Sequence, residues 1–485
     1  MTNLVLKQPE LLRQACLIDG QWRQASSGGT LCVTNPFDGQ MIGTVPSLAA
    51  SEVTSAVTSA HQAQPAWAKL TAKARATLLH RWADLIDEHT EDLAQIMTAE
   101  QGKPLTESRG EIAYANSFVR WFAEEGRRAY GDVITANQAE VRHVVIKQPV
   151  GVCAAITPWN FPAAMMTRKV APALAAGCTI VVKPASQTPF SALALAYLAQ
   201  QAGLPDGVLS VVTGSAAVVA EVLTQDERIA KLSFTGSTAV GKTLMAQCAG
   251  TLKRLSLELG GNAPFIVFAD ADLDKAVEGL VASKYRNAGQ TCVCANRVYV
   301  HKDVKEAFIK KLVAKVAILT VGNGADEGTQ IAPLIDSSAI EQAQRLLKDA
   351  TDKGAVIATG GQIDERCPQL MTPAVVDNVS DDMLMAQTEI FAPIAPILSF
   401  EGEAEVIQRA NSTPYGLAAY FYTQDLARSW RVAEALEFGM VAQNTGLLST
   451  EVAPFGGIKQ SGFGREGSKY GIDEYLSIKY WNVQL

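Results

Sequence analysis

Hydrophobic and polar positions follow two different periods along this chain. Between residues 51 and 130, Leu78, Leu79, Trp82, Leu85 and Ile86 recur at helical spacing while charges fill the other face, which predicts amphipathic helices. Residues 141–156 (VRHVVIKQPVGVCAAI) are rich in β-branched side chains and predict strand. Further strands are expected at 179–182, 208–212 and 232–234, with helices from about 191 to 203 and near 215–225. A second run of the same kind begins at 265–268 and continues past 420. Short apolar strands separated by helices indicate parallel βαβ units, so the expected fold class is α/β. The tail, DEYLSIKYWNVQL, alternates like a strand with one face exposed. A terminal strand needs a partner, and the expected one is the 133–150 segment, another subunit, or both. The chain carries no internal repeat and no low-complexity tract.

Composition narrows the class. At 485 residues the chain exceeds one ordinary core, so two or three domains are expected. Its 48% hydrophobic and 19% charged content describes a well-packed protein, and a net charge of −7 argues against nucleic acid as a partner. No stretch offers 18 uninterrupted apolar residues, so no membrane span is expected. The first residues lack the basic and apolar regions of a secretory signal, and the eight cysteines are dispersed apart from Cys292 and Cys294. Both features predict a reducing, cytoplasmic setting.

Candidate chemistry centres on Gly289-Gln290-Thr291-Cys292, with Glu258-Leu259-Gly260-Gly261 upstream. Cys292 in a Gly-flanked loop is a candidate nucleophile, and Glu258 beside paired glycines is a candidate general base. A thiol with an ordinary pKa of about 8.5 is only a few per cent thiolate at neutral pH, so a nearby base matters. A packed, inert thiol is the ordinary alternative. None of the five histidines lies near Cys292 in sequence or pairs with another at metal-ligand spacing, so no metal is expected. Gly236-Ser237-Thr238-Ala239-Val240-Gly241-Lys242-Thr243 fits the phosphate-loop pattern, and the run from Phe265 to Asp270 resembles a magnesium-holding acidic strand. A P-loop NTPase is therefore the alternative from another class. It leaves Cys292 and Glu258 without a role. Glycines ahead of a helix also hold a dinucleotide pyrophosphate.

Seven stretches in order resemble the aldehyde dehydrogenase superfamily over nearly the whole chain: Pro158-Trp159-Asn160-Phe161-Pro162, Lys183-Pro184-Ala185-Ser186, Phe234-Thr235-Gly236-Ser237-Thr238, Leu257-Glu258-Leu259-Gly260-Gly261, Gly289-Gln290-Thr291-Cys292, Glu389-Ile390-Phe391-Ala392-Pro393 and Pro454-Phe455-Gly456-Gly457. The resemblance implies a Rossmann-like cofactor domain (1–132 and 151–256), an α/β catalytic domain (257–440), a small β oligomerisation arm (133–150 and 470–485) that builds dimers or tetramers, and a return segment (441–469) lining the substrate tunnel. It implies that Cys292 attacks an aldehyde and that the Asn160 amide and the Cys292 N–H hold the oxyanion. Hydride then leaves for a nicotinamide, and Glu258 activates the water that hydrolyses the thioester, with Lys169 behind that base. Thr157, Trp159, Gly236 and Ser237 fall on the cofactor side. Glu389 would bond the nicotinamide ribose, and Phe391 would pack at that end.

The resemblance also bears on selectivity. Lys183 meets the adenosine ribose in this family, and many NAD-preferring members carry a glutamate three residues later. Here that position is Ser186, which favours NADP over NAD because a hydroxyl can donate to a 2′-phosphate that a carboxylate would repel. Arg168, Arg286 and Ser449 fall where the family's substrate tunnel is lined. Two guanidiniums and a hydroxyl would capture a carboxylate, and the set resembles the succinate-semialdehyde dehydrogenases, as does the tail from Gly464 to Gly471. Glutarate semialdehyde, one methylene longer, is the alternative substrate, since such pockets discriminate a methylene only about 10- to 200-fold. Cys294, two residues past Cys292, is a candidate partner in a strained, reducible disulfide that would act as a redox switch.

Overall fold

The computed structural model describes residues 4–485. Two large sheets organise it. The first runs, edge to edge, Gly462–Phe463, Arg254–Glu258, Ile229–Thr235, Val152–Ile156, Thr179–Lys183, Leu209–Val211, Cys16–Ile18 and Gln21–Arg23. Its five central strands are parallel and its edges antiparallel. Thr179–Lys183 is buried at every position, because helices cover both faces, so its sequence is an apolar run rather than an alternation. The second sheet runs Val356–Thr359, Ala374–Asp377, Ile394–Phe400, Ala295–His301, Ala263–Val267, Ala418–Tyr422 and Met440–Gln443, all parallel except the first. The α/β expectation holds.

The stretch 51–130 forms four helices, Ala50–Lys69, Ala72–Glu88, Thr90–Gln101 and Leu105–Glu125. Leu79, Trp82 and Ile86 are fully buried, and Leu78 and Leu85 pack at the margin of the same core. The tail forms the strand Leu476–Gln484, antiparallel to Val141–Pro149 in register from Leu476↔Pro149 to Gln484↔Val141. Asp132–Ile134 completes this three-stranded sheet. The expected pairing of the tail with the 133–150 segment is therefore present within one chain. Val133, Ile478, Tyr480 and Trp481 remain exposed on it. Among the described residues no helix is long and apolar enough to cross a membrane.

Two features of topology create the site. In the first sheet Ile156 pairs with Lys183 and Thr235 with Glu258, so the carboxyl ends of neighbouring strands align, where open α/β sheets bind ligands. In the second sheet Ala263 pairs with Ala295. The loops leading into these two strands, which carry Gly260-Gly261 and Cys292, are therefore forced side by side.

Candidate active site

Cys292 lies where two cavities of about 240 Å³ each meet, and it lines both together with Met165. The close approach depends on Gly261, where a Cβ would stand 2.4 Å from the Cys292 carbonyl oxygen. The glycine at 261 thus has a steric cause. Burial pushes the Cys292 thiol up to about 12. The Glu389 and Glu258 charges add to that rise and Arg168 opposes it, so the resting sulfur is protonated.

The first cavity includes Pro158, Trp159, Asn160, Thr235, Gly236, Ser237, Glu258 and Glu389 in its wall, with Phe391. Trp159 and Phe391 meet edge to face at 5.6 Å, and Phe391 is held at φ 53°. Ser237 caps the helix Thr238–Cys248 by accepting from the Val240 N–H, which leaves a helix N-terminus facing the crevice. Glu389 accepts from the Gly261 N–H at 3.0 Å, and burial lifts it to about 7. A Cβ at Gly260 would stand 2.8 Å from its other oxygen. The buried Thr157 hydroxyl has no partner among the described residues. Lys183 is buried at the end of its strand, and burial alone pushes its ammonium down, with no carboxylate to offset it. Ser186, half-buried, follows three residues on. Helix N-terminus, unpartnered hydroxyl and unpaired lysine form a donor set that suits a phosphorylated dinucleotide.

Glu258 is buried and neither of its oxygens has a hydrogen-bond partner. Burial and the Glu466 charge hold its pKa well above the usual carboxylate range, against Arg168, Lys169 and Arg465. Lys169 does not bond Glu258. Its Nζ donates to Thr235 Oγ1 at 2.6 Å and to Glu466. Burial opposes the charge on Glu466, but Lys169 and Arg168 outweigh it and hold Glu466 below the ordinary range. Lys169 thus bonds the acid at 466 rather than Glu258, and acts on Glu258 through its charge. Glu466 lies within the quoted tail motif, yet its role depends on contacts no local pattern reveals.

Asn160 is positioned by its neighbours. Its side-chain amide donates to the Gln290 carbonyl at 3.0 Å, and its own carbonyl accepts from Lys103 Nζ at 2.6 Å and Asn287 Nδ2 at 2.9 Å. Buried Lys103 pairs with Glu111, whose other oxygen accepts the Ala163 and Ala164 N–H groups at 3.0 and 3.2 Å. That carboxylate satisfies the N-terminus of the helix Pro162–Ala176, which carries Met165, Arg168 and Lys169. Lys103 and Glu111 gave no signal in the sequence beyond being charged.

The second cavity contains Arg168, Arg286 and Ser449, which are far apart in sequence, along with Tyr114 and Glu107. Arg168 is fully buried, with Nε 2.8 Å from Glu466 Oε2 and its guanidinium 3.9 Å above the Phe455 ring. Its Nη2, Arg286 Nε and the Tyr114 hydroxyl have no hydrogen-bond partner among the described residues. Buried donors without acceptors are rare in folded proteins, and here they stand in the wall of a cavity that the Glu107 and Glu111 carboxylates also line. Cys292 and Cys294 are free thiols. Cys294 is buried, with Lys284 Nζ and the Gly289 carbonyl each 3.5 Å from its sulfur.

A sequence profile of the Aldehyde dehydrogenase family matches residues 22–481. The chain belongs to that family. It is 57% identical to the NADP(+) succinate-semialdehyde dehydrogenase GabD of Escherichia coli (strain K12), covering 99% of this chain and 100% of that one. It is 58% identical to a glutarate-semialdehyde dehydrogenase of Pseudomonas putida over 98% of each chain. The crystal structure of an NADP-dependent enzyme from E. coli superimposes with a TM-score of 0.99, at 57% identity, covering 99% of this chain and 100% of that one.

The NTPase alternative falls with this membership, and the geometry of this aldehyde dehydrogenase explains why. The helix after Gly236-Ser237 already begins at Thr238, so Lys242 sits a turn inside it, exposed, donating to Gln460 Oε1 at 3.0 Å. The 265–270 run belongs to the other sheet. There Asp270 accepts from Thr423, Gln424, Asp425 and Arg428 instead of facing the loop.

Proposed function

We propose that this aldehyde dehydrogenase oxidises succinate semialdehyde to succinate with NADP. The observation that carries the proposal is the anion-seeking wall of Arg168, Arg286 and Tyr114, which shares one cavity with Cys292. Similarity to the E. coli enzyme supports it. The substrate's carboxylate binds at that wall and its aldehyde reaches Cys292. The thiol proton leaves toward Glu258, sulfur bonds to the carbonyl carbon, and the Asn160 amide with the Cys292 N–H takes the oxyanion. One such donor is worth about 3–4 kcal/mol. A bound nicotinamide supplies the hydride acceptor. Glu258, whose oxygens have no hydrogen-bond partner among the described residues, passes that proton to solvent, then takes a proton from the water that attacks the thioester, and Cys292 leaves as the thiolate and is reprotonated. A panel of succinate, glutarate and apolar aldehydes with NAD and NADP tests the reading. A preference for butanal over both semialdehydes overturns it. Glutarate semialdehyde is the second reading, supported by the Pseudomonas putida relative.

For the cofactor, Lys183 and Ser186 are the proposed readers of the 2′-phosphate, because an unpaired buried ammonium and a hydroxyl stand three residues apart. Ser186→Glu is expected to weaken NADP binding by about tenfold or more, since lost charge-assisted bonds cost roughly 1.5–3 kcal/mol each. NAD use should hold. Titration of both cofactors checks this, and an unchanged NADP/NAD ratio places the phosphate elsewhere.

The remaining assignments rest on the family. We read 1–132 and 151–256 as the cofactor domain, 257–440 as the catalytic domain, 441–469 as the tunnel-lining return, and the arm sheet with its exposed Ile478, Tyr480 and Trp481 as the homo-oligomer contact. Eight free cysteines suit a reducing cytoplasm. A redox switch between Cys292 and Cys294 requires Cys294 to leave Lys284 and the Gly289 carbonyl. Mild peroxide followed by dithiothreitol should inactivate and restore activity. Mass spectrometry that finds no Cys292–Cys294 linkage would mean that Cys294 is a packed thiol only.

A further inference from the structure

Arg286 sits in an unusual piece of backbone. The residues after it, Asn287 and Ala288, adopt left-handed angles of φ 50°, ψ 36° and φ 52°, ψ 34°. Asn visits this region singly, but a second residue with a Cβ directly after it, Ala288, rarely does, so contacts outside the segment hold it. Gln290 contributes from within the loop: its side chain donates to the Asn287 carbonyl at 3.1 Å and accepts the Ile335 N–H at 2.9 Å. The hold from the opposite wall is a carboxylate. Glu107, on the helix Leu105–Glu125, accepts the Asn287 N–H on Oε2 at 2.8 Å and lines the same cavity as Arg286. Arg286 itself has little else to fix it: its guanidinium carbon lies 5.3 Å from the Phe161 ring and its Nε is unpartnered.

We propose that Glu107 is a specificity-determining positioning residue, which pins the left-handed turn at Asn287 so that Arg286 presents its guanidinium to the substrate carboxylate. This rests on the reading of Arg286 as a carboxylate reader. The same turn carries Asn287 Nδ2 to the Asn160 carbonyl, so the brace also ties the carboxylate end of the cavity to the oxyanion donor. What matters is an acceptor at the right reach, not the negative charge. An amide oxygen at 107 serves, whereas a carboxylate one methylene shorter does not.

The test measures kcat/KM for succinate semialdehyde and for butanal, with NADP, in the wild type and in Glu107→Gln, Glu107→Asp and Glu107→Ala, with melting temperatures alongside. Glu107→Ala and Glu107→Asp are expected to lower the semialdehyde-to-butanal ratio by about 10-fold, mostly through KM, and Glu107→Gln to restore it to within about threefold. Glu107→Asp keeps the charge and the helix, so it remains informative if the alanine variant folds poorly. Equal losses on both aldehydes would make Glu107 a structural residue only. A glutamine variant as poor as alanine would show that charge, not the bond, is what counts. Either result overturns the proposal. A wild type that does not prefer the semialdehyde would instead overturn the substrate reading, and the two failures are separable.

Discussion

Cys292→Ala is expected to abolish aldehyde oxidation, with a loss of at least about 10⁴-fold, because Met165, the other described residue that lines both cavities, carries a thioether and offers no nucleophile in its place. Binding of NADPH, followed by fluorescence, should remain close to that of the wild type. None of the groups assigned to the cofactor (Ser237, Lys183, Glu389) hydrogen-bonds to the sulfur: Ser237 accepts from Val240, Glu389 accepts from Gly261, and Lys183 stands unpaired. Cys294→Ala should retain most activity. Its sulfur is buried against Lys284 and the Gly289 carbonyl and lines neither cavity. The raised pKa of Cys292 adds a further expectation. Burial keeps the resting thiol neutral, so alkylation by iodoacetamide should be slow in the free enzyme and quicken as pH rises toward about 12. An inactive Cys294 variant beside an active Cys292 variant would reverse the assignment of the nucleophile.

Much of this architecture was legible in the sequence where periodicity is strong. The helices of 51–130 and the apolar strands at 179–182 and 232–234 announce themselves because each buries a continuous face. The tail was legible for the opposite reason, since its alternation reflects one exposed side; the need to close an edge called for a partner but left 133–150, another subunit or both open, and the structure pairs it with Val141–Pro149. The three-residue strands Cys16–Ile18 and Gln21–Arg23 are too short to set a period and owe their place to pairing with Leu209–Val211 and with each other. In the site, the motif residues were legible as motifs. Their supports were not. Glu466, Lys103 and Glu107 look like solvated charges in sequence. Only the packing that buries Lys103 against Glu111 and sets Glu466 between Lys169 and Arg168 gives them work.

That same packing separates the two arginines in the second prediction. Truncating either one leaves a substrate carboxylate unpaired in a partly dry cavity, at a cost of about 2–5 kcal/mol, so kcat/KM for succinate semialdehyde should fall by roughly 30-fold or more in both Arg168→Ala and Arg286→Ala. Butanal, which has the same chain length and no carboxylate, distinguishes them. Arg286 has an unpartnered Nε, and its guanidinium carbon lies 5.3 Å from the Phe161 ring in a cavity wall shared with Glu107, so Arg286→Ala should change butanal oxidation severalfold at most. Arg168 also neutralises Glu466 from 2.8 Å, and both it and Lys169 restrain the rise in the Glu258 pKa. Removing it leaves a buried acid with one partner fewer and pushes Glu258 further up. The acid limb of the rate profile should therefore move to higher pH, and butanal oxidation at neutral pH should fall as well, recovering as pH is raised. Ser449→Ala should follow the pattern of Arg286 with a smaller loss, because a neutral donor contributes less than a guanidinium. Equal losses on both aldehydes in Arg286→Ala, at every pH, would mean that this arginine supports the fold and that the substrate's carboxylate is read by other groups.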